Sequence, residues 1–189
     1  MGLSGLLIAA SARACERDGR MVIGAALDLR RRLARSPGNE LSFCVSMIDV
    51  ALDVPALSEA AIWSVAAEAT RALGSEACAG AQALGLALAI DRLSPIAAGL
   101  LAVDRTILGH TFLFSNIGDC SDLLGSSGAA LHACGFTTSP RASRRLQVSC
   151  ASIGGRLSLS LAFPADAANR ARVERFSRVL AETLALLAR

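Results

Sequence analysis

The stretch Thr111-Phe112-Leu113-Phe114-Ser115-Asn116-Ile117-Gly118 decides how the chain is read. Three apolar residues, Phe112 to Phe114, are bounded by Gly109 before and Gly118 after. A run that short between turn residues predicts a fully buried strand. Polarity changes at Ser115 and Asn116, so the strand is expected to end there. Polar side chains at the end of a buried strand are where α/β proteins commonly present binding or reacting groups. Ser and Asn also bond their own backbone in turns, so shaping the turn is the competing reading.

On the N-terminal side, Leu3 to Arg17 predicts a helix with Leu3, Leu6, Leu7, Ala10 and Ala14 on one face, ended by Asp18-Gly19. Met21 to Leu27 predicts a buried strand closing on Asp28-Leu29-Arg30, and Ser36-Pro37-Gly38-Asn39 is a turn. Leu41 to Leu52 predicts a strand with apolar residues on both faces, hence a central one covered on both sides. Helices are expected over about Ser58 to Leu73, with Ser58 as N-cap, and over Glu76 to Leu93. A shorter helical stretch spans Ile96 to Val103.

On the C-terminal side, a Gly/Ser loop runs from Gly118 to Gly128, and Ala129 to Thr138 predicts a further strand. Leu146, Val148 and Cys150 alternate with polar residues, as do Leu157, Leu159 and Leu161. Gly154-Gly155 lies between the two runs, which is the pattern of a hairpin with one wet face. Asp166 caps a last helix over Ala167 to Ala188, with Val173, Phe176, Leu180, Leu184 and Leu187 as its stripe. Together these predict a single α/β domain over 1–189, a two-layer sandwich with helices packed on a mixed β-sheet.

Of the 189 residues, 53% are hydrophobic and only 19% charged, against a usual charged share of about 25%. Such a chain either holds a large core or covers an apolar face with a partner. All 19 basic residues are Arg, as in GC-rich coding bias, and the net charge is only +3. Aromatics make up 4% and Tyr is absent, which argues against stacking platforms for nucleic acid. The N-terminus lacks the positive region of a signal peptide, and Leu6 stands where a myristoylation motif needs Ser or Thr. The longest apolar run, Ala77 to Ile90, is too short to span a bilayer. The six cysteines have no metal-binding spacing, so reduced thiols in a cytoplasmic location are expected.

Chemistry is sparse. His110 and His132 are the two histidines, and neither has a partner at ligand or triad spacing. His110 is the better candidate catalytic residue because it stands beside the strand that leads to Ser115 and Asn116. Asp49 with Asp53, and Asp119 with Asp122, are pairs of carboxylates without the setting of a glycosidase. No nucleophile elbow, dinucleotide fingerprint or zinc-protease motif is present.

Several stretches in order carry a resemblance. They are Leu6 to Ala14, the strand ending Asp28-Leu29-Arg30, Gly38-Asn39, Phe114-Ser115-Asn116-Ile117-Gly118, and the closing hairpin with its final helix. Their succession resembles the C-terminal half of chloramphenicol acetyltransferase-like acyltransferases. That superfamily includes nonribosomal peptide condensation domains, wax ester synthases and polyketide-associated acyltransferases. The resemblance implies a tunnel between two similar halves, with the general base in a His-His-x-x-x-Asp motif on the other half. This chain has no His-His pair. It further implies that Ser115, Asn116 and Gly118 line the tunnel, with Ser115 or Asn116 a possible oxyanion donor. Arg30, in the Asp28-Leu29-Arg30 segment, would pair with the Asp of the missing motif, and Gly38 and Asn39 would be structural.

Two functions follow as expectations. In the first, the chain is an acyltransferase-like half that completes its site with a companion chain, taking an acyl group from coenzyme A or a carrier protein, with no covalently bound cofactor. In the second, it is a non-catalytic, self-associating scaffold with an apolar acyl-binding pocket.

Overall fold

The computed structural model describes residues 2–28, 45–54, 59–75, 109–121, 133–137 and 146–188. The elements in chain order are α1 (Leu3–Ala14), β1 (Gly19–Asp28), β2 (Val45–Val54), α2 (Glu59–Gly74), β3 (Phe112–Asp119), β4 (Leu146–Ile153), β5 (Arg156–Ala162) and α3 (Ala167–Leu187). The strands form one sheet in the order β2-β1-β3-β4-β5. β1 runs antiparallel to β2 and parallel to β3, β3 runs parallel to β4, and β4 runs antiparallel to β5. The predicted α/β architecture, helices on a mixed sheet, is the one observed.

Strand alternation explains how the two layers meet. Met21, Ile23 and Ala25 of β1 lie opposite Leu52, Val50 and Ile48 of β2. Ile23 and Ala25 also pair with Phe112 and Phe114 of β3, and these lie beside Leu146 and Val148 of β4. All but the half-buried Leu146 are buried, and together they form the face on which the helices sit. Each large side chain buried here contributes about 1.5–3 kcal/mol.

Helix α1 is the middle of the helical layer, packed against both α2 and α3. It is rich in Ala, so neighbouring helices approach closely. A Cβ on Gly5 would strike Thr70 Oγ1 and sit 2.5 Å from the Ala66 carbonyl oxygen of α2. Thr70 Oγ1 donates to that same carbonyl at 2.7 Å and accepts from the Gly2 amide at 3.3 Å. At the other end Glu16 adopts φ +50°, which stops α1 before the Arg17 expected from the sequence. Asp166 caps α3, its carboxylate accepting from the Asn169 amide at 2.8 Å.

Three expectations change. The strand through Phe112–Phe114 does not stop at Ser115 but continues to Asp119. Backbone pairing with β4 carries it on, Ser115 lying opposite Ser149 and Asn116 opposite Cys150. β2 is not central: among the described residues it is one of the two edge strands. The physical reason is its second face, where Met47, Asp49, Ala51 and Asp53 are all exposed. Residues 133–137, inside the expected strand Ala129 to Thr138, adopt no regular structure. The helices expected over Glu76 to Leu93 and Ile96 to Val103 lie outside the described residues. The hairpin turn is as read: Ile153 pairs with Arg156, and Gly154 and Gly155 both take positive φ, +54° and +73°.

Candidate functional site

With the helices on one face of the sheet, the opposite face carries the polar chemistry. Three strands build its centre. Gly24 of β1 lies opposite Asp49 of β2 on one side and Leu113 of β3 on the other. The Thr111 amide donates to the Val22 carbonyl at 2.6 Å, which ties the start of β3 to β1. His110 precedes that anchor by one residue. Its ring lies over Gly24, where a Cβ would come within 3.2 Å of both Cδ2 and Nε2. From there His110 Nε2 donates to Asp49 Oδ1 at 2.5 Å. The His110 side chain is 8% exposed and that of Asp49 37%, so the ring is enclosed while the carboxylate meets solvent.

Beside this pair runs a row of hydroxyls. Ser115 of β3, Ser149 of β4 and Ser160 of β5 are successive register partners across three strands. Ser149 is 1% exposed, and its Oγ accepts from Gln147 Nε2 at 3.3 Å. Gly135 runs close to Ser160, where an added Cβ would lie 3.3 Å from Ser160 Oγ. An imidazole–carboxylate pair and preorganised hydroxyl donors are groups that can orient a polar substrate or stabilise developing negative charge.

Asn116 belongs to the other face. Its Nδ2 donates to Ser4 Oγ of α1 at 3.0 Å and its Oδ1 accepts from the Gly118 amide at 2.8 Å. It therefore joins β3 to α1 and shapes the bulge between Asn116 and Asp119, where Gly118 takes φ +80°. Just beyond, the Ser121 hydroxyl and amide both donate to Asp119 Oδ1, at 2.6 and 2.9 Å. These bonds hold the exposed Asp119 carboxyl below its ordinary range.

No protein-family model matches the chain and no curated protein does. Solved structures do. A trichothecene 15-O-acetyltransferase from Fusarium sporotrichioides superimposes with a TM-score of 0.67 over 94% of this chain, at 17% identity. The epimerization domain from the third module of tyrocidine synthetase B follows, with a TM-score of 0.53 over 97% of this chain, at 16% identity. The fold is chloramphenicol acetyltransferase-like. The chain spans 40% of the acetyltransferase and 42% of the epimerization domain, so it corresponds to part of that fold.

Within this fold the expected site residues separate. Ser115 stands in the hydroxyl row, whereas Asn116 and Gly118 hold the strand end to α1. Asp28 closes β1, exposed, with Val45 of β2 as its register partner. Arg30, Gly38, Asn39 and His132 lie outside the described residues. The structure brings His110 to Asp49, a pairing that sequence spacing could not supply across 61 positions. One signal was present: a Gly inside a buried strand, Gly24, marks a close approach by another group. Ser149 and Gln147 had none beyond their place in an alternating strand. Among the described residues no cluster of His, Cys, Asp and Glu could hold a metal ion, and no helix is long and apolar enough to cross a membrane.

Proposed function

We propose that the chain is a single-domain, acyltransferase-like half, corresponding to the C-terminal one, whose acyl-transfer site is completed by a companion bearing the His-His-x-x-x-Asp motif. The observation that carries this reading is the coverage: 94% of the chain matches, yet only 40% of the acetyltransferase is accounted for. The sheet face turned away from the helices is the surface on which the companion would sit. On that face the β2 end is open, with Met47 42% exposed, and Ile117 at the end of β3 is 51% exposed.

In this reading the companion's second His removes the proton from the acceptor. Ser115, beside Ser149 and Ser160, faces the tunnel and hydrogen-bonds the polarised thioester carbonyl. Asn116 and Gly118 keep that strand in place, and Arg30 pairs with the companion's motif Asp. The acyl donor is a thioester of coenzyme A or of a carrier protein. His110, held by Asp49, orients the wall of the tunnel.

Reconstitution tests it. The chain mixed with the companion should transfer acyl groups from a thioester, and Ser115→Ala and Arg30→Ala should each lower the rate at least tenfold. The chain alone should be inactive. Acyl transfer by the isolated chain that His110→Ala abolishes would instead place the base in this chain and overturn the proposal.

A further inference from the structure

A second chemical feature lies at the far end of β3, independent of the acyl-transfer reading. The Cys120 amide donates to the Ser152 carbonyl oxygen at 2.8 Å. Cys134 Sγ donates to that same oxygen at 3.9 Å. Cys120 Sγ reaches the Gly118 carbonyl oxygen at 3.9 Å, and Ser152 Oγ donates to it at 3.4 Å. Two neighbouring carbonyls thus gather both cysteines where the ends of β3 and β4 meet. Cys120 is buried at 7% exposure, while Cys134 is half-buried.

We propose that Cys120 and Cys134 form a dithiol modification site that closes to an intrachain disulfide when the protein meets a low-molecular-weight disulfide. Cys134, the more accessible, attacks the oxidant as thiolate. A Cys134 mixed disulfide forms, and one equivalent of small thiol leaves. Cys120 then gives up its proton and attacks the Cys134 sulfur, expelling the second small thiol. The two protein thiols lose two protons and two electrons, and the oxidant's S–S bond takes them up to become two thiols.

The electrostatics set the order of the two steps: the thiolate of Cys120 is the harder to form, so Cys134 reacts first and Cys120 second. Burial raises the Cys120 pKa, and the hydrogen bond and charge of Cys134 raise it further. Burial also pushes Cys15 and Cys150 up, to about 11 and about 12, with Arg172 and Arg17 opposing the shift at Cys15. Their thiols stay protonated and react slowly. Closure would fasten residues 133–137 to the end of β3, next to the bulge that Gly118 and Asn116 shape.

The sequence makes the site simple to read. Trypsin cuts after Arg105 and Arg141 and nowhere between, so both cysteines fall on peptide 106–141, which holds no third. The folded chain is incubated with oxidised glutathione, alkylated with iodoacetamide, digested and weighed. The expected product is peptide 106–141 two hydrogens lighter and unalkylated, and Cys134→Ser should leave Cys120 open to alkylation. The bridge should also form at least tenfold faster in the folded chain than in urea, because the fold supplies the proximity. Peptide 106–141 recovered with both cysteines alkylated, glutathione remaining on Cys134, bridges to other cysteines, or equal rates in urea would each overturn the proposal.

Discussion

His110 Nε2 and Asp49 Oδ1 lie 2.5 Å apart, spanning β1 from β3 to β2 with Gly24 beneath the ring. The absence of a side chain at position 24 is what permits the approach. In Gly24→Ala the new Cβ would stand 2.7 Å from Leu113 Cδ2 and 3.2 Å from the imidazole. Overpacking of this kind costs about 1–3 kcal/mol. Urea unfolding of Gly24→Ala should show that loss.

Asn116 provides a second measure, on the helix side of the sheet. Its amide joins β3 to Ser4, 112 residues away, and to the Gly118 amide. Asn116→Ala leaves both partners unsatisfied and should lower stability by about 1–3 kcal/mol. Ser4→Ala removes only one end and should cost less in the same urea titration.

Ser11 makes the opposite case. It is 1% exposed in α1, and its hydroxyl has no hydrogen-bond partner among the described residues. An unpaired buried hydroxyl carries a desolvation penalty of about 1–3 kcal/mol. Alanine keeps the helix and removes the penalty, so Ser11→Ala should raise the thermal midpoint rather than lower it.

Asp119 sets a pH dependence. Its folded pKa is lowered, chiefly by the Ser121 hydroxyl and then by the Ser121 amide. A carboxyl whose pKa falls on folding adds stability that is present above its unfolded pKa, about 3.9. That stability is lost as pH drops through the folded pKa. Ser121→Ala should move the Asp119 titration, followed by carboxyl-carbon NMR, upward towards the ordinary value.

How far the fold was legible follows from which interactions are local. The hairpin could be read because Leu157, Leu159 and Leu161 alternate beside two glycines that favour positive φ. The last helix could be read because Asp166 caps a regular apolar stripe. The end of β3 was misjudged because Ser115 and Asn116 look like turn residues. In the sheet, Ser115 has a serine beside it on β4, and Asn116 has Ser4 on α1, so neither needs a turn to be satisfied. β2 was misplaced because its inward residues, Ile48, Val50 and Leu52, are as apolar as those of a central strand. Only pairing shows that its other face, with Met47, Asp49 and Asp53, is exposed. The His110–Asp49 pair and the Cys120–Cys134 pair depend on strand order, which no periodicity encodes.

The central proposal is that this chain completes an acyl-transfer site with a second half of the fold. The most direct test is the molar mass of the native protein, taken from its own host, by light scattering, with every polypeptide in the peak sequenced. The account predicts a single species in which this chain is held one-to-one by a half carrying His-His-x-x-x-Asp. A stable species made of this chain alone, without that motif anywhere in it, would contradict the account.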